Sequence, residues 1–212
     1  MIMGNPDNIY AGEELDERSV DPNPICLFQR WFQDASREDL PLPDAVTLAT
    51  ATKDGRPSAR MVLVKEVDER GFVFFTNYRS AKARELDANP FATLVSYWPQ
   101  LERQVRIEGT VERISVEESD RYFQTRPRDS QIGAIASPQS DVIESREQLE
   151  RRFAELEEIY RGRRVERPAH WGGYRLKPSR IEFWKGRPGR LHDRLLYEIE
   201  KDGTWTIKRL AP

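Results

Sequence analysis

Between residues 46 and 114 the chain alternates short β-branched or aromatic runs with turns containing Asp and Gly, and that spacing confines it to an antiparallel sheet. Residues 46–52 carry no charge and are rich in Val, Thr and Ala, and Lys53-Asp54-Gly55-Arg56 after them reads as a hairpin turn. A second strand over 58–67, a turn at Asp68-Glu69-Arg70-Gly71 and a third strand over 72–76 follow. Residues 80–89 read as a short helix stopped by Pro90. Runs at 91–97 and 104–114 complete a meander of five strands.

The rest of the chain frames this meander. Asn23 is placed to cap a helix opening at Pro24, with Leu27, Phe28, Trp31 and Phe32 on one face, and Pro41-Leu42-Pro43 closes that unit. Residues 1–22 are polar and without period, and read as a flexible N-terminal arm. Helical spacing recurs at 116–125, 131–136 and 146–160. Strands return at 173–176, 180–184, 191–200 and 205–210. Strands on both sides of a helical insert predict a single α+β domain over 23–212. Its mostly antiparallel sheet would curl into a small barrel with peripheral helices.

Composition removes several function classes. The 34 basic and 36 acidic residues nearly cancel, against the cation excess of a dedicated nucleic-acid binder. One cysteine excludes an intramolecular disulfide, and two histidines leave little for a zinc site. No apolar run is long enough for a membrane helix, and the N-terminus lacks the pattern of a secretory signal. A soluble cytoplasmic protein is the expectation. No phosphate-binding Gly-rich loop, dinucleotide fingerprint or nucleophile elbow is present.

What stands out instead is cations inside strands and at helix joints. In Arg60-Met61-Val62-Leu63-Val64-Lys65, alternation puts Arg60 and Lys65 on opposite faces unless a bulge intervenes. Each faces either a bound anion or open water. Tyr122 and Arg126 are four residues apart on one helix face; Pro127 ends that helix and Ser130 can start the next. The arginines beside that helix start form either an anion site or a solvated cap. By two-residue alternation Arg190, His192 and Arg194 share one strand face, either under an electron-rich ligand or turned to water. Gln104 and Gln139-Ser140 are weaker candidates, for a heterocycle edge and a phosphate or for plain backbone pairing.

These segments, with Phe75-Thr76-Asn77, Glu102-Arg103-Gln104-Val105, Arg126-Pro127-Arg128-Asp129-Ser130-Gln131-Ile132-Gly133, Trp171-Gly172-Gly173, Glu182-Phe183-Trp184, Arg190-Leu191-His192-Asp193-Arg194 and the terminal Arg209-Leu210-Ala211-Pro212, form an ordered set. The set resembles the pyridoxamine 5′-phosphate oxidase family from about Pro24 to the end. The resemblance implies an FMN-binding split β-barrel that works as a homodimer, with FMN at the subunit interface. It implies oxidation of pyridoxamine 5′-phosphate and pyridoxine 5′-phosphate to pyridoxal 5′-phosphate, with O2 as acceptor and H2O2 as product. No nucleic acid or membrane partner is implied.

Residue by residue, the same resemblance assigns Arg60, Met61, Val62, Leu63, Val64 and Lys65 to the cofactor, with Arg60, Lys82, Gln139 and Ser140 on its phosphate. Phe75 and Thr76 would line the flavin, and Gln104, Trp184 and Arg194 would contact its ring system and ribityl chain. Lys65, Tyr122, Arg126 and Ser130 would bind the substrate phosphate. Arg190, Leu191 and His192 would cover the pyridine ring, with Arg190 and His192 as the catalytic pair, and Tyr10 would close over the substrate. Two departures are visible. Ala81 stands where the family has an arginine, with Arg79 as a candidate substitute, and Asp7-Asn8-Ile9 precede Tyr10 where the family carries arginines. The rival readings are a phenazine-pathway flavin oxidase of the same superfamily and a non-catalytic split-barrel protein that binds flavin or pyridoxal phosphate.

Overall fold

The computed structural model describes residues 14–38 and 40–212. Helix α1 (Pro24–Arg37) opens as expected: the Asn23 side chain accepts from the Ile25 N–H at 2.9 Å, and Pro24 takes a first-turn position that has no hydrogen bond to lose. Its apolar face is buried. Phe28 meets Phe72 edge-on with ring centroids 4.9 Å apart, and Trp31 meets Phe183 at 5.2 Å. Burying such a ring contributes about 2–3 kcal/mol, so packing rather than helix propensity holds α1 on the sheet.

Eight strands follow the meander and its return: β1 (Ala45–Ala51), β2 (Pro57–Asp68), β3 (Gly71–Asn77), β4 (Phe91–Trp98), β5 (Arg103–Arg113), β6 (Trp171–Lys185), β7 (Asp193–Ile199) and β8 (Trp205–Arg209). They run in the order β3-β2-β1-β4-β5-β6-β7-β8, and β3 also pairs with β6. That second pairing closes β1 to β6 into an antiparallel barrel and leaves β7 and β8 as an extension. One strand serves both parts: residues 171–176 of β6 pair with β3, and residues 180–185 pair with β7. Leu48, Phe72, Phe74, Leu94, Ile107 and Leu176 fill the barrel with no exposed surface.

Helices α2 (Ala81–Ala88), α3 (Val116–Thr125), α4 (Arg128–Ala136) and α5 (Arg146–Ile159) complete the fold. Phe123, Ile132, Leu156, Val165 and Trp171 form a second apolar cluster, with Phe75 of β3 packed against it. Strand β3 is therefore covered on both faces, which explains why it lacks the alternation of an exposed strand.

Three boundaries differ from those expected. Residues 173–176 and 180–184 belong to one strand, because Pro178 sits opposite Gly109 at a bulge that absorbs the missing N–H. Helix α4 begins at Arg128, with Pro127 at its cap position, so Ser130 lies in the first turn rather than at the start. Strand β7 begins at Asp193, and Pro188–Arg190 is a 3-10 turn with Gly189 at φ 66° and Arg190 at φ 60°. Arg190, His192 and Arg194 thus do not share a strand face: Arg190 sits in the turn and only Arg194 lies in the strand.

Candidate active site

The outer side of β2 and β3 forms one wall of a cleft of about 470 Å³, and the α3–α4 joint forms the other. On β2 the expected alternation holds. Met61, Leu63 and Lys65 are the exposed positions and line the cleft, Val62 between them also reaches it, and the less exposed Arg60 and Val64 do not. Lys65 is also the residue at which the β2–β3 register shifts. Tyr122 and Arg126, one helical turn apart on α3, both line the cleft with Ser130 of α4.

The floor is aromatic. Phe75 stacks on Tyr122 with centroids 3.8 Å apart and on Trp171 at 5.4 Å, the rings tilted by 17° and 12°. Trp171 also lines the cleft, a place that the family motif does not assign to it, and the two glycines that follow it are its sequence signal. Added Cβ atoms there would overlap the Tyr78 hydroxyl at Gly172 and the Ile114 side chain at Gly173. The glycines let β6 approach closely enough for Trp171 to complete the stack.

Arg126 precedes Pro127, whose ring forces it into extended backbone (ψ 147°) and so ends α3 at the cleft edge. Its guanidinium carbon lies 4.5 Å from the centre of the Trp171 ring. One terminal nitrogen is buried without a hydrogen-bond partner, and among the described residues no carboxylate forms an ion pair with it. Burial pulls the guanidinium below its ordinary pKa, opposed only by Tyr122. Arginine stays charged regardless, so the site carries an uncompensated cation.

Lys82 on α2 is the second such cation. Its ammonium donates to Gln139 Oε1 at 3.0 Å, Thr76 Oγ1 at 3.2 Å and Ser80 Oγ at 3.4 Å, all neutral acceptors. Thr76 Oγ1 also donates to Gln139 Oε1 at 3.0 Å. Burial first, and the neighbouring Arg60 charge second, lower the Lys82 pKa, with Glu85 partly offsetting them.

Other expected residues are differently engaged. Arg60, whose charge acts on Lys82, pairs with Glu85 at 3.1 Å and donates to Ser58, Thr50 and the Leu48 carbonyl. Lys65 is held by Asp44 at 2.5 Å. Ser140, at φ 76°, accepts from the Ala81 N–H at 3.1 Å. Arg79 lines a separate cavity with His170 and Arg152, so it does not replace the missing arginine at Ala81 within this cleft. Arg128 donates to the carbonyls of Tyr160 and Arg163 and serves structure. Tyr10 lies outside the described residues.

The remaining set gathers elsewhere on the chain. Across β5, β6 and β7 the register aligns Gln104 with Trp184 and Trp184 with Arg194. His192 packs on Trp184 with centroids 4.7 Å apart. Glu182, only 4% exposed, bridges Arg194 at 2.7 Å and Arg106 at 2.9 Å, and it raises the Arg194 pKa. None of Gln104, Trp184, Arg190, Leu191, His192 or Arg194 lines the cleft of its own chain. The motif residues therefore fall into two separate groups on the chain.

The cleft thus combines an aromatic floor with two cations that have no carboxylate ion pair among the described residues, on the outside of a closed barrel. Residues 32–160 match the family model described as pyridoxamine 5′-phosphate oxidase, and residues 171–212 match one described as the pyridoxine 5′-phosphate oxidase C-terminal dimerisation region. The pyridoxine/pyridoxamine 5′-phosphate oxidase of Rubrobacter xylanophilus is 61% identical over 96% of this chain and 93% of its own length. The protein of the same name from a Nostoc species is 56% identical over 96% and 95%. Among solved structures, PhzG of Burkholderia lata, in complex with tetrahydrophenazine-1-carboxylic acid, superposes with a TM-score of 0.91. It is 34% identical and covers 97% of this chain and 100% of its own. A pyridoxamine 5′-phosphate oxidase-related, FMN-binding protein of Nostoc punctiforme shares the fold, with a TM-score of 0.72 at 20% identity over 91% of this chain and 100% of its own. The chain belongs to the pyridoxine/pyridoxamine 5′-phosphate oxidase family and is an oxidoreductase.

Proposed function

We propose that the protein oxidises pyridoxamine 5′-phosphate and pyridoxine 5′-phosphate to pyridoxal 5′-phosphate, with FMN as cofactor, O2 as acceptor and H2O2 as product. The observation that carries this reading is the pair of cations without carboxylate partners, Arg126 and Lys82, on the walls of one aromatic cleft. Two such charges call for two anionic groups, and a flavin phosphate and a substrate phosphate supply them.

Lys82, Thr76 and Gln139 would hold the cofactor phosphate, with Ser140 at the α2 start beside them. Phe75 and the β2 segment 61–65 would line the flavin. Arg126 and Ser130 would grip the substrate phosphate, helped by the unpaired N–H groups of the first turn of α4. FMN held there would supply the two-electron redox chemistry that carries the substrate's hydride equivalent to O2. The aromatic stack excludes water and Arg126 fixes the substrate's tail, so that C4′ is held in one orientation. Lys65 would exchange Asp44 for the phosphate as substrate enters.

The second of the two motif groups would come from another copy of the chain, in a homodimer with FMN at the interface. Met61, 61% exposed beside the cleft, and Leu191, 74% exposed in the turn, are the apolar surfaces such a contact would cover. It would bring Arg190, Leu191 and His192 over the pyridine ring, and Arg194, Trp184 and Gln104 against the flavin.

Oxygen consumption with each phosphorylated substrate tests the reading, alongside flavin released on denaturation. Colourless protein that consumes no oxygen with either substrate overturns it in favour of a non-catalytic binder. The likeness to PhzG supports a second reading, oxidation of a reduced tricyclic carboxylic acid. Lys65, Tyr122, Arg126 and Ser130 around the cleft favour the phosphorylated pyridine, and the same assay with a dihydrophenazine carboxylate separates the two.

A further inference from the structure

We propose that Asp193 is a positioning residue that sets which ring nitrogen His192 offers as a donor and, through the same loop, where Arg190 stands. The consequence for turnover rests on the oxidase reading; the structural part does not.

His192 and Arg190 sit in the loop joining β6 to β7, with Arg187 near its start and Asp193 opening the strand that follows. The Arg187 backbone N–H donates to His192 Nδ1 at 3.1 Å. A nitrogen that accepts a hydrogen bond carries the lone pair, so the proton of the neutral ring is placed on Nε2. The Arg187 side chain pairs with two carboxylates, its Nη2 2.9 Å from Glu14 Oε1 and its Nε, across the base of the loop, 3.6 Å from Asp193 Oδ2. The N–H that selects the tautomer is thereby tied to the carboxylate that begins the next strand.

Asp193 is itself clamped from two further directions. Its Oδ2 accepts from the Leu15 N–H at 3.2 Å, and its Oδ1 accepts from Arg209 Nη1 at 2.9 Å. Arg209 also donates to the Leu15 carbonyl at 2.8 Å and to Glu17. Leu15 is only 6% exposed. One carboxylate, 15% exposed, thus joins the segment before α1, the base of the loop and the last strand. Within the loop Leu191 faces outward, and Gly189 and Arg190 both hold left-handed backbone. A non-glycine residue at φ 60° relaxes unless its surroundings hold it. Release of Asp193 would let Arg190 leave that conformation and let the His192 ring turn on Trp184.

The test uses the FMN-loaded protein with 15N-labelled histidine, Asp193→Asn and, as a milder variant, Arg209→Ala. The chain has two histidines, so His170→Asn in each background leaves the His192 nitrogens alone in the spectrum. At about pH 8 the parent protein is expected to show a protonated Nε2 and a bare Nδ1. Asp193→Asn should give a mixture of tautomers. It should also raise KM for pyridoxamine 5′-phosphate about tenfold, with kcat changed less than about twofold and flavin content unchanged. Arg209→Ala, at a half-exposed position, should move both readouts the same way by less, and it decides the matter if Asp193→Asn does not fold. An unchanged nitrogen spectrum overturns the proposal whatever the kinetics; a changed spectrum with unchanged KM overturns the link to Arg190. If the parent protein oxidises neither substrate, the oxidase reading has failed, and the nitrogen spectra still decide the role of Asp193.

Discussion

Arg126 stands with its guanidinium carbon 4.5 Å from the centre of the Trp171 ring, on a cleft wall where the described residues offer its charge no carboxylate partner. The indole face offsets part of the desolvation, as a cation over an aromatic ring does, but leaves the buried nitrogen without an acceptor. Such a site is less stable empty than filled.

Arg126→Met is therefore expected to do two opposite things. It should raise the melting temperature of the ligand-free protein by a few degrees, because a half-buried unpaired charge is replaced by an apolar chain of similar length. It should also raise KM for the phosphorylated substrate about a hundredfold, the loss of one charge-assisted bidentate contact worth about 3 kcal/mol. Calorimetry and steady-state kinetics on the same preparation check both, and a melting point that falls together with an unchanged KM refutes the assignment.

The pH dependence of stability should expose Lys82. Its folded pKa lies below the unfolded value of 10.5, so between the two the unfolded chain holds a proton that the folded chain has released. Stability contributed at this position must then rise with pH up to about 10.5. Tyr174 and Tyr197 act the opposite way at high pH, since burial raises both pKa values. The difference between the ligand-free protein and Lys82→Met cancels the tyrosines, and it should shift in favour of the parent as pH rises. Inorganic phosphate at saturation should remove the slope.

Ala81→Arg should tighten FMN binding. Ala81 opens α2 beside Ser140 and Lys82, while Arg79 faces another cavity. A guanidinium there adds one charge-assisted contact, and a dissociation constant lower by about tenfold, or ~1.4 kcal/mol, is expected in a fluorescence titration.

Glu182→Gln should cost about 3 kcal/mol, because it removes the buried carboxylate that joins Arg106 and Arg194 and takes from Arg194 its ion pair among the described residues, while Arg106 keeps Glu108. Chemical denaturation reads the loss directly. Flavin retention should fall with it, since Arg194 would lose the anchor that orients it.

Much of the fold could be read directly from the chain. Turn residues, β-branched runs and the Asn23-Pro24 cap are local signals, and local backbone chemistry governs hairpins and helix starts. The errors fell where tertiary structure overrides local chemistry. Pro178 reads as a strand break, yet the bulge opposite Gly109 carries β6 through it. Alternation across 190–194 assumes extended backbone, whereas Gly189 and Arg190 turn left-handed and delay the strand to Asp193.

For the site, the sequence alone determined which residue types were available and which shared a helix face or strand face, as with Tyr122 and Arg126 or Arg60 and Lys65. Sequence spacing carries no information on counter-charges that arrive from distant segments, so it could not say which cations were already neutralised. Only the tertiary structure decided that Arg60 pairs with Glu85 and Lys65 with Asp44, while Arg126 and Lys82 have no carboxylate ion pair among the described residues. The physical reason is that an ion pair depends on distance in space, and barrel closure sets those distances between residues far apart in the chain.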